Sequence, residues 1–337
     1  MVQKKKLNEE LNKISYFLIF IEFLKLGFTS FGGPIAHIAF FRDHFVKKKE
    51  WLDDNNFLDI VSFSNFLPGP SSSQVGMCIG YLKKGTFGAL LAWLGFTLPS
   101  AVIMIFSAFG LFFYKDFFSG GLLIGIKASV GIIVFQAIVG MSKQYLNDYR
   151  KVTITISTAL ALTFLTNNSY QIFYIIFFGV VGVFLFETPN KRSYVQKQFS
   201  YMYLIYLILF FLFLFVFPLV SNLTSSELLT ITDKFYRTGS LVFGGGHVVL
   251  PLLQNEILNF GLVDKDTFIF GYGVAQIIPG PLFTFSGFLG ASMDLNHSKL
   301  LIGILSLTMI FMPSFLLVLG AMPYWGILRN FSKIKAF

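Results

Sequence analysis

Gly27-Phe28-Thr29-Ser30-Phe31-Gly32-Gly33-Pro34 and Phe66-Leu67-Pro68-Gly69-Pro70 decide how this chain folds, because each is written twice. The first recurs as Gly239-Ser240-Leu241-Val242-Phe243-Gly244-Gly245-Gly246, the second as Ile277-Ile278-Pro279-Gly280-Pro281. The spacing recurs too: Trp51 lies 17 positions before Pro68, and the matching Leu262 lies 17 before Pro279. Asp53 falls on Asp264, Phe57 on Phe268, and Asn65 on Gln276. Later, Leu98-Pro99-Ser100 falls on Met312-Pro313-Ser314. Glycine permits a tight backbone and proline stops a helix, so each motif interrupts the apolar run that contains it. Two copies of a Gly/Pro-interrupted apolar unit point to a repeat-built membrane transporter, with its site where the breaks meet.

The composition sets the solvent. Of 337 residues, 55% are hydrophobic, 44 are phenylalanine and only 13% are charged; the mean hydropathy is +0.70. Apolar runs long enough to cross a hydrocarbon core of about 30 Å include Thr86–Tyr114, Leu122–Ser142 and Tyr201–Val220. The lipid bilayer is therefore the expected surround. The net charge of +9 does not point to nucleic acid, because the basic residues sit in short loops between apolar runs. The single cysteine, Cys78, excludes an intrachain disulfide and dithiol chemistry. Four histidines without ligand spacing give no metal site. There is neither a nucleotide fingerprint nor another cofactor motif, so no cofactor and no enzyme activity are expected. Lys4-Lys5-Lys6 leads into an apolar run with no small-residue cleavage site, so residues 1–15 read as a cytoplasmic leader.

Several apolar runs are too short to span. Tyr16–Phe31 reaches Gly32-Gly33-Pro34, and Ile35–Val46 returns to Lys47-Lys48-Lys49. Phe57–Leu67 reaches Pro68-Gly69-Pro70, and Ser71–Leu82 returns to Lys83-Lys84. Each pair reads as a hairpin of half-length helices that dips into the membrane and comes back. Such breaks survive at depth only inside protein or against a watery cavity. With the N-terminus inside, the first two hairpins return inside, five spans follow, and the second pair returns outside. Of 26 lysines and arginines, Lys25, Lys127, Lys234 and Arg237 lie within apolar runs, and Lys115, Lys265 and Lys299 fall outside; the other 19 fall inside. That asymmetry follows the positive-inside rule and makes the repeats inverted. The expected fold is an all-α polytopic membrane protein of two inverted repeats with Gly/Pro-broken half-helix hairpins. Residues 16–187 form the first repeat, 188–200 a basic cytoplasmic linker, and 201–337 the second repeat.

These residues resemble the chromate ion transporter family. The likeness rests on Gly27–Pro34 continuing through Ala36-His37-Ile38, on Trp51-Leu52, on Phe66–Pro70 with Ser72-Ser73-Gln74-Val75-Gly76, and on Ala92–Ser100. In the second half it rests on Phe243–Pro251, Gly271-Tyr272-Gly273 and Pro279–Phe285. The resemblance implies a two-repeat protein of the inner membrane that moves chromate, usually outward, with sulfate as the related oxyanion. The second half stops at Phe337, just after Lys335-Ala336, which match Lys127-Ala128 of the first; the first continues to Phe186. The second repeat is therefore expected to be C-terminally shortened.

A tetrahedral oxyanion needs positive potential and several N–H donors in a partly dry cavity, and helix N-termini supply both. The breaks Gly32, Gly33, Pro68, Gly69, Gly245, Gly246 and Gly280 are expected to expose such N-termini at Ile35, Ser71, His247 and Leu282. Ser71, Ser72, Ser73 and Gln74 add hydroxyl and amide groups in the first half; Gln276, Thr284 and Ser286 add fewer in the second. N-capping is the competing reading of these serines. Lys25 and Arg237 each stand two residues before a repeat's first glycine, where an intramembrane charge is costly and marks function. Local neutralisation competes here, by Glu22 for Lys25 and by Asp233 for Arg237. His37 and His247 follow the Gly-rich breaks at unaligned positions and are candidate donors. Asp53 and Asp264 are expected to cap the helices that follow them.

A gradient-driven carrier, a sulfate uptake carrier and an oxyanion-permeable channel all fit this pattern, and a monomer or a homodimer equally. The topology is directly testable. Cysteines beside Lys48 and Lys84 should be labelled by an impermeant thiol reagent from one face, and one beside Asp264 from the other. Labelling of all three from a single face would remove the inversion.

Overall fold

The computed structural model describes residues 14–113, 146–164, 177–182, 184–185, 201–224, 226–243 and 249–325, with isolated positions between 121 and 143. Regular structure among the described residues is helical throughout. The expected run Leu122–Ser142 lies mostly outside them, as do Lys127, Gly245, Gly246 and His247.

Each hairpin forms as its punctuation dictates. The first arm, Tyr16–Thr29, has 14 residues, about 21 Å of helix and too short for a full crossing. Ser15 caps its start through Leu18 N–H. The return arm is the helix Gly33–Phe41, prolonged by a π-helical turn Arg42–Lys48. It begins two residues earlier than expected, because Pro34 sits in its first turn, where a missing N–H costs nothing and φ is preset for a helix. The second hairpin pairs Asp54–Phe66 with the helix that starts at Ser71. Asp53 accepts the Asn56 N–H at 2.8 Å, and its counterpart Asp264 accepts the Thr267 N–H at 2.9 Å. Both aspartates are helix caps, as their spacing indicated.

The helical stretch Ser71–Phe113 is not one rod. Lys84 and Gly85 leave helical geometry, with Gly85 at φ 65°. There the chain doubles back, so that Gly80 and Gly88 touch backbone to backbone and neither has room for a Cβ. The portion before the turn is a return arm and the portion after it a full-length helix. In the second repeat the same parts are Glu227–Leu241, Val249–Leu253 with the π-helical turn Gln254–Leu258, Lys265–Ile277, Leu282–Ser292 and Lys299–Ala321. The π-helical turns Arg42–Lys48 and Gln254–Leu258 start 212 positions apart, the spacing that separates Gly27 from Gly239.

Three described stretches are long and apolar enough to cross a membrane: Ser71–Leu111, Tyr201–Thr224 and Lys299–Tyr324. The middle one has only 11% of its apolar window buried, so lipid is its natural neighbour. The other two form the spine of the bundle. Phe96 of the first packs with Phe41, and Phe41 and Phe45 pack on Phe23; Trp93 crosses to Phe311 and Phe315 of the second.

Two glycine contacts seat the first arms on this spine. Gly27 lies against the carbonyls of Gly95 and Phe96, where an added Cβ would sit 2.9 and 2.8 Å from the oxygens. Gly239 lies as closely against the Ile310 carbonyl. Pro99 and Pro313, three residues further on, each remove a helical N–H and free a carbonyl one turn back. Small residues that let backbones approach are the usual glue between helices in lipid. Gly69 and Gly280 have φ of 121° and 105°, a region closed to other residues. A Cβ on Gly69 would strike Ser314 Oγ, and one on Gly280 would lie 2.6 Å from Ser100 Oγ.

Gly69→Ala and Gly280→Ala should therefore each cost about 1–3 kcal/mol from backbone strain alone, with the clash added. Gly261→Ala, at φ 70° in open space, should cost about 1 kcal/mol. Thermal unfolding in detergent measures all three; equal shifts would mean that packing at the breaks is loose.

Candidate functional site

The breaks of the two repeats meet and bind each other. Gly69 N–H donates to the Val242 carbonyl at 2.7 Å, and Gly280 N–H donates to the Ser30 carbonyl at 2.9 Å. Donors and acceptors correspond by the internal repeat, so the contact is made twice with the repeats exchanged. Each Pro-Gly-Pro turn thereby ends the other repeat's first arm by satisfying a carbonyl the helix leaves free. Underneath, each turn rests on the Pro-Ser step of the other repeat's long helix: Gly280 on Ser100, Gly69 on Ser314.

The first repeat lines this junction with polar groups. Ser71 opens the return arm at 7% exposure, and Ser72, Ser73 and Gln74 follow it, all buried. Gln74 donates from Nε2 to the Pro68 carbonyl at 2.6 Å and to Ser314 Oγ at 3.2 Å. Its N–H groups therefore hold the turn together, and only Oε1, an acceptor, is left. His37 is buried, its ring edge-on to Phe96 and its Nδ1 3.3 Å from Ser72 Oγ. Gly32 and Gly33 carry positive φ at the turn into the return arm.

The second repeat differs. Leu282, Phe283 and Phe285 occupy the places of Ser71, Ser72 and Gln74. Thr284 is buried but donates back to the Pro281 carbonyl at 2.8 Å, and Ser286 does the same to Phe283. Gln276 is half-buried on its arm, one turn beyond Tyr272, and the two side chains face each other.

Among the described residues, the lysines and arginine within apolar runs are paired. Lys25, 60% exposed, reaches Glu22 at 3.0 Å; Arg237 pairs with Asp233 on its own helix. Glu22 also takes His44 at 2.8 Å and Lys49 at 3.0 Å from the far end of the return arm, so it ties the base of the hairpin. Its counterpart five residues before Gly239 is Lys234, which takes Glu256 at 3.4 Å and lies over the Phe260 ring. The tie is conserved between the repeats and its sign reversed. The sequence signalled the partners Lys25 and Asp233 by helical spacing; His44, Lys49 and Glu256 are brought in only by the fold.

This arrangement defines a class: a multi-pass helical membrane protein whose two homologous halves interlock through broken helices. A profile of the chromate transporter family matches residues 17–183 and 229–337, and the chain belongs to that family. It is 28% identical over 340 residues to an uncharacterized transporter of Methanocaldococcus jannaschii, covering 97% of this chain and 81% of that protein. It is 27% identical to a probable chromate transport protein of Synechococcus elongatus, over 94% and 78% of the two chains. With a chromate transport protein of Pseudomonas aeruginosa it shares 26% identity over 82% of this chain and 66% of the other. No solved structure matches.

Because two lysines and the His44 ring lean on one buried carboxylate, Glu22→Gln should lower stability by about 1–3 kcal/mol. Lys49→Gln, at a partner 36% exposed, should cost under about 1 kcal/mol. Thermal unfolding of both variants checks the order; a reversed order would mean that Glu22 does not organise the cluster.

Proposed function

We propose that the protein is a secondary carrier of chromate that holds the oxyanion at the crossed breaks and works outward. The reciprocal bonding of Gly69 to Val242 and Gly280 to Ser30 carries this reading. It brings the start of the Ser71 helix, with its free N–H groups, to the junction of the two halves. A helix N-terminus there offers unpaired N–H groups and a positive potential without a formal charge. Lys25 and Arg237, a turn and a half from the breaks, raise that potential further while Glu22 and Asp233 keep them in place. Breaks closed by single hydrogen bonds suit alternating access: one repeat rocks against the other, and each position exposes the anion to one side. Sulfate, of the same shape and charge, is the natural competitor. The relatives named for chromate transport support the substrate class.

Everted membrane vesicles containing the protein should accumulate radiolabelled chromate when energised and release it on dissipation of the gradient. Downhill equilibration without accumulation would replace the carrier with a channel, and no chromate entry would remove the substrate. Lys25→Ala and Arg237→Ala should each weaken chromate affinity about threefold to tenfold. Unchanged affinity in both would remove their role.

A further inference from the structure

The two halves are alike in backbone but not in the polarity of what they bring to the junction. Ser30 Oγ, His37 Nε2, Ser73 Oγ and Thr97 Oγ1 are each without a hydrogen-bond partner. Their residues are 0%, 1%, 1% and 2% exposed. A buried polar atom left unpaired costs about 1–3 kcal/mol, and four of them on the first-repeat elements that meet at the breaks are a standing demand for a ligand. Thr97 is the sharpest case. A threonine inside a helix ordinarily donates to the carbonyl one turn back, as Thr238 does to Lys234 at 2.8 Å. Thr97 does not, so its hydroxyl is turned elsewhere. His37 Nδ1 and Ser72 Oγ share one proton between them, and in the tautomer where Ser72 donates it, Nε2 carries the ring proton and is a donor too.

The positions that mirror these four make no such demand; the second repeat's own buried unpartnered atoms, among them Arg237 Nε, Tyr272 Oη, Gln276 Nε2 and Ser306 Oγ, lie at other places on its helices. Ser30 is matched by Val242 and Thr97 by Phe311. Ser73 is matched by Thr284, whose hydroxyl is already bonded to Pro281. Ser72 is matched by Phe283, and Phe283 and Phe311 close ring against ring at 5.9 Å. Where the second repeat packs two aromatic rings, the first therefore sets the Ser72 and Thr97 hydroxyls.

We infer that the anion site is asymmetric: the first repeat supplies its hydroxyl and imidazole ligands, Ser30, His37, Ser73 and Thr97, and the second repeat faces them with a dry aromatic wall at the mirrored positions. This rests on the oxyanion reading above and adds Ser30 and Thr97 to the binding residues. All four ligands are neutral donors. The charge of the anion is met by the free N–H groups at the starts of the Gly33–Phe41 helix and the Ser71 helix, both in the first repeat. A dry wall opposite strengthens each of these interactions, because no water competes for them.

Equilibrium binding of radiolabelled chromate to the purified full chain in detergent, with unlabelled sulfate as competitor, tests this. Thr97→Val and Ser30→Ala should each weaken binding about tenfold or more, and Thr97→Ser should restore it. The mirrored change Thr284→Val should stay within about twofold of the wild type. The rescue by serine separates a lost ligand from a lost fold. Wild-type affinity in Thr97→Val and Ser30→Ala would overturn the asymmetric site, as would an equal loss in Thr284→Val; either result leaves an oxyanion carrier standing. No saturable chromate binding by the wild type would overturn the oxyanion reading itself, and this inference with it.

Discussion

Two backbone hydrogen bonds, Gly69 to Val242 and Gly280 to Ser30, connect everything else in this structure. In lipid a broken helix leaves carbonyls and N–H groups that water cannot reach, and each left unpaired costs several kcal/mol. One repeat alone would have such groups at both of its breaks. Exchanging a turn with the other repeat pairs them in both halves at once. The positive φ of Gly69 and Gly280, the missing side chain at Gly27 and Gly239, and the Ser100 and Ser314 steps beneath the turns all serve that exchange.

Symmetry of backbone and asymmetry of side chain then divide the labour. The backbone needs both halves, because each supplies the other's missing partner. The side chains at the junction differ between the halves. Ser71, Ser72, Ser73 and Gln74 stand where the second repeat has Leu282, Phe283, Thr284 and Phe285, and burial is equally deep on both sides. The hairpin bases repeat the theme with charge: Glu22 gathers His44 and Lys49, and Lys234 gathers Glu256. Each ties a first arm to its return arm.

Much of this was legible in the sequence. The breaks, the half-length arms, the turn at Lys84-Gly85 and the Asp53 and Asp264 caps follow from residues whose backbone preferences are strong and local. Pro34 was harder: proline ends one helix and begins another with equal ease, and the register of the return arm decides which. Lys25 could be read as an anion ligand or as a partner of Glu22, since helical spacing allowed both; the fold shows the pairing. Ser30 and Thr97 were not legible as site residues. Serine at a helix end and threonine in an apolar helix are commonplace, and only their burial without a partner, against Val242 and Phe311 at the mirrored places, sets them apart. His44 and Lys49 lie more than 20 positions from Glu22, and no local pattern joins them.

Amide hydrogen exchange in lipid nanodiscs, read on peptides covering Phe66–Ser71 and Ile277–Leu282, tests the interlock most directly. Turns with buried, bonded N–H groups should exchange as slowly as the long helix Lys299–Ala321, and far more slowly than the surface turn Asn259–Asp264. Exchange of both break peptides at the rate of that surface turn would show the breaks open to water and unbonded to each other, and would contradict the mutual closure of the two repeats.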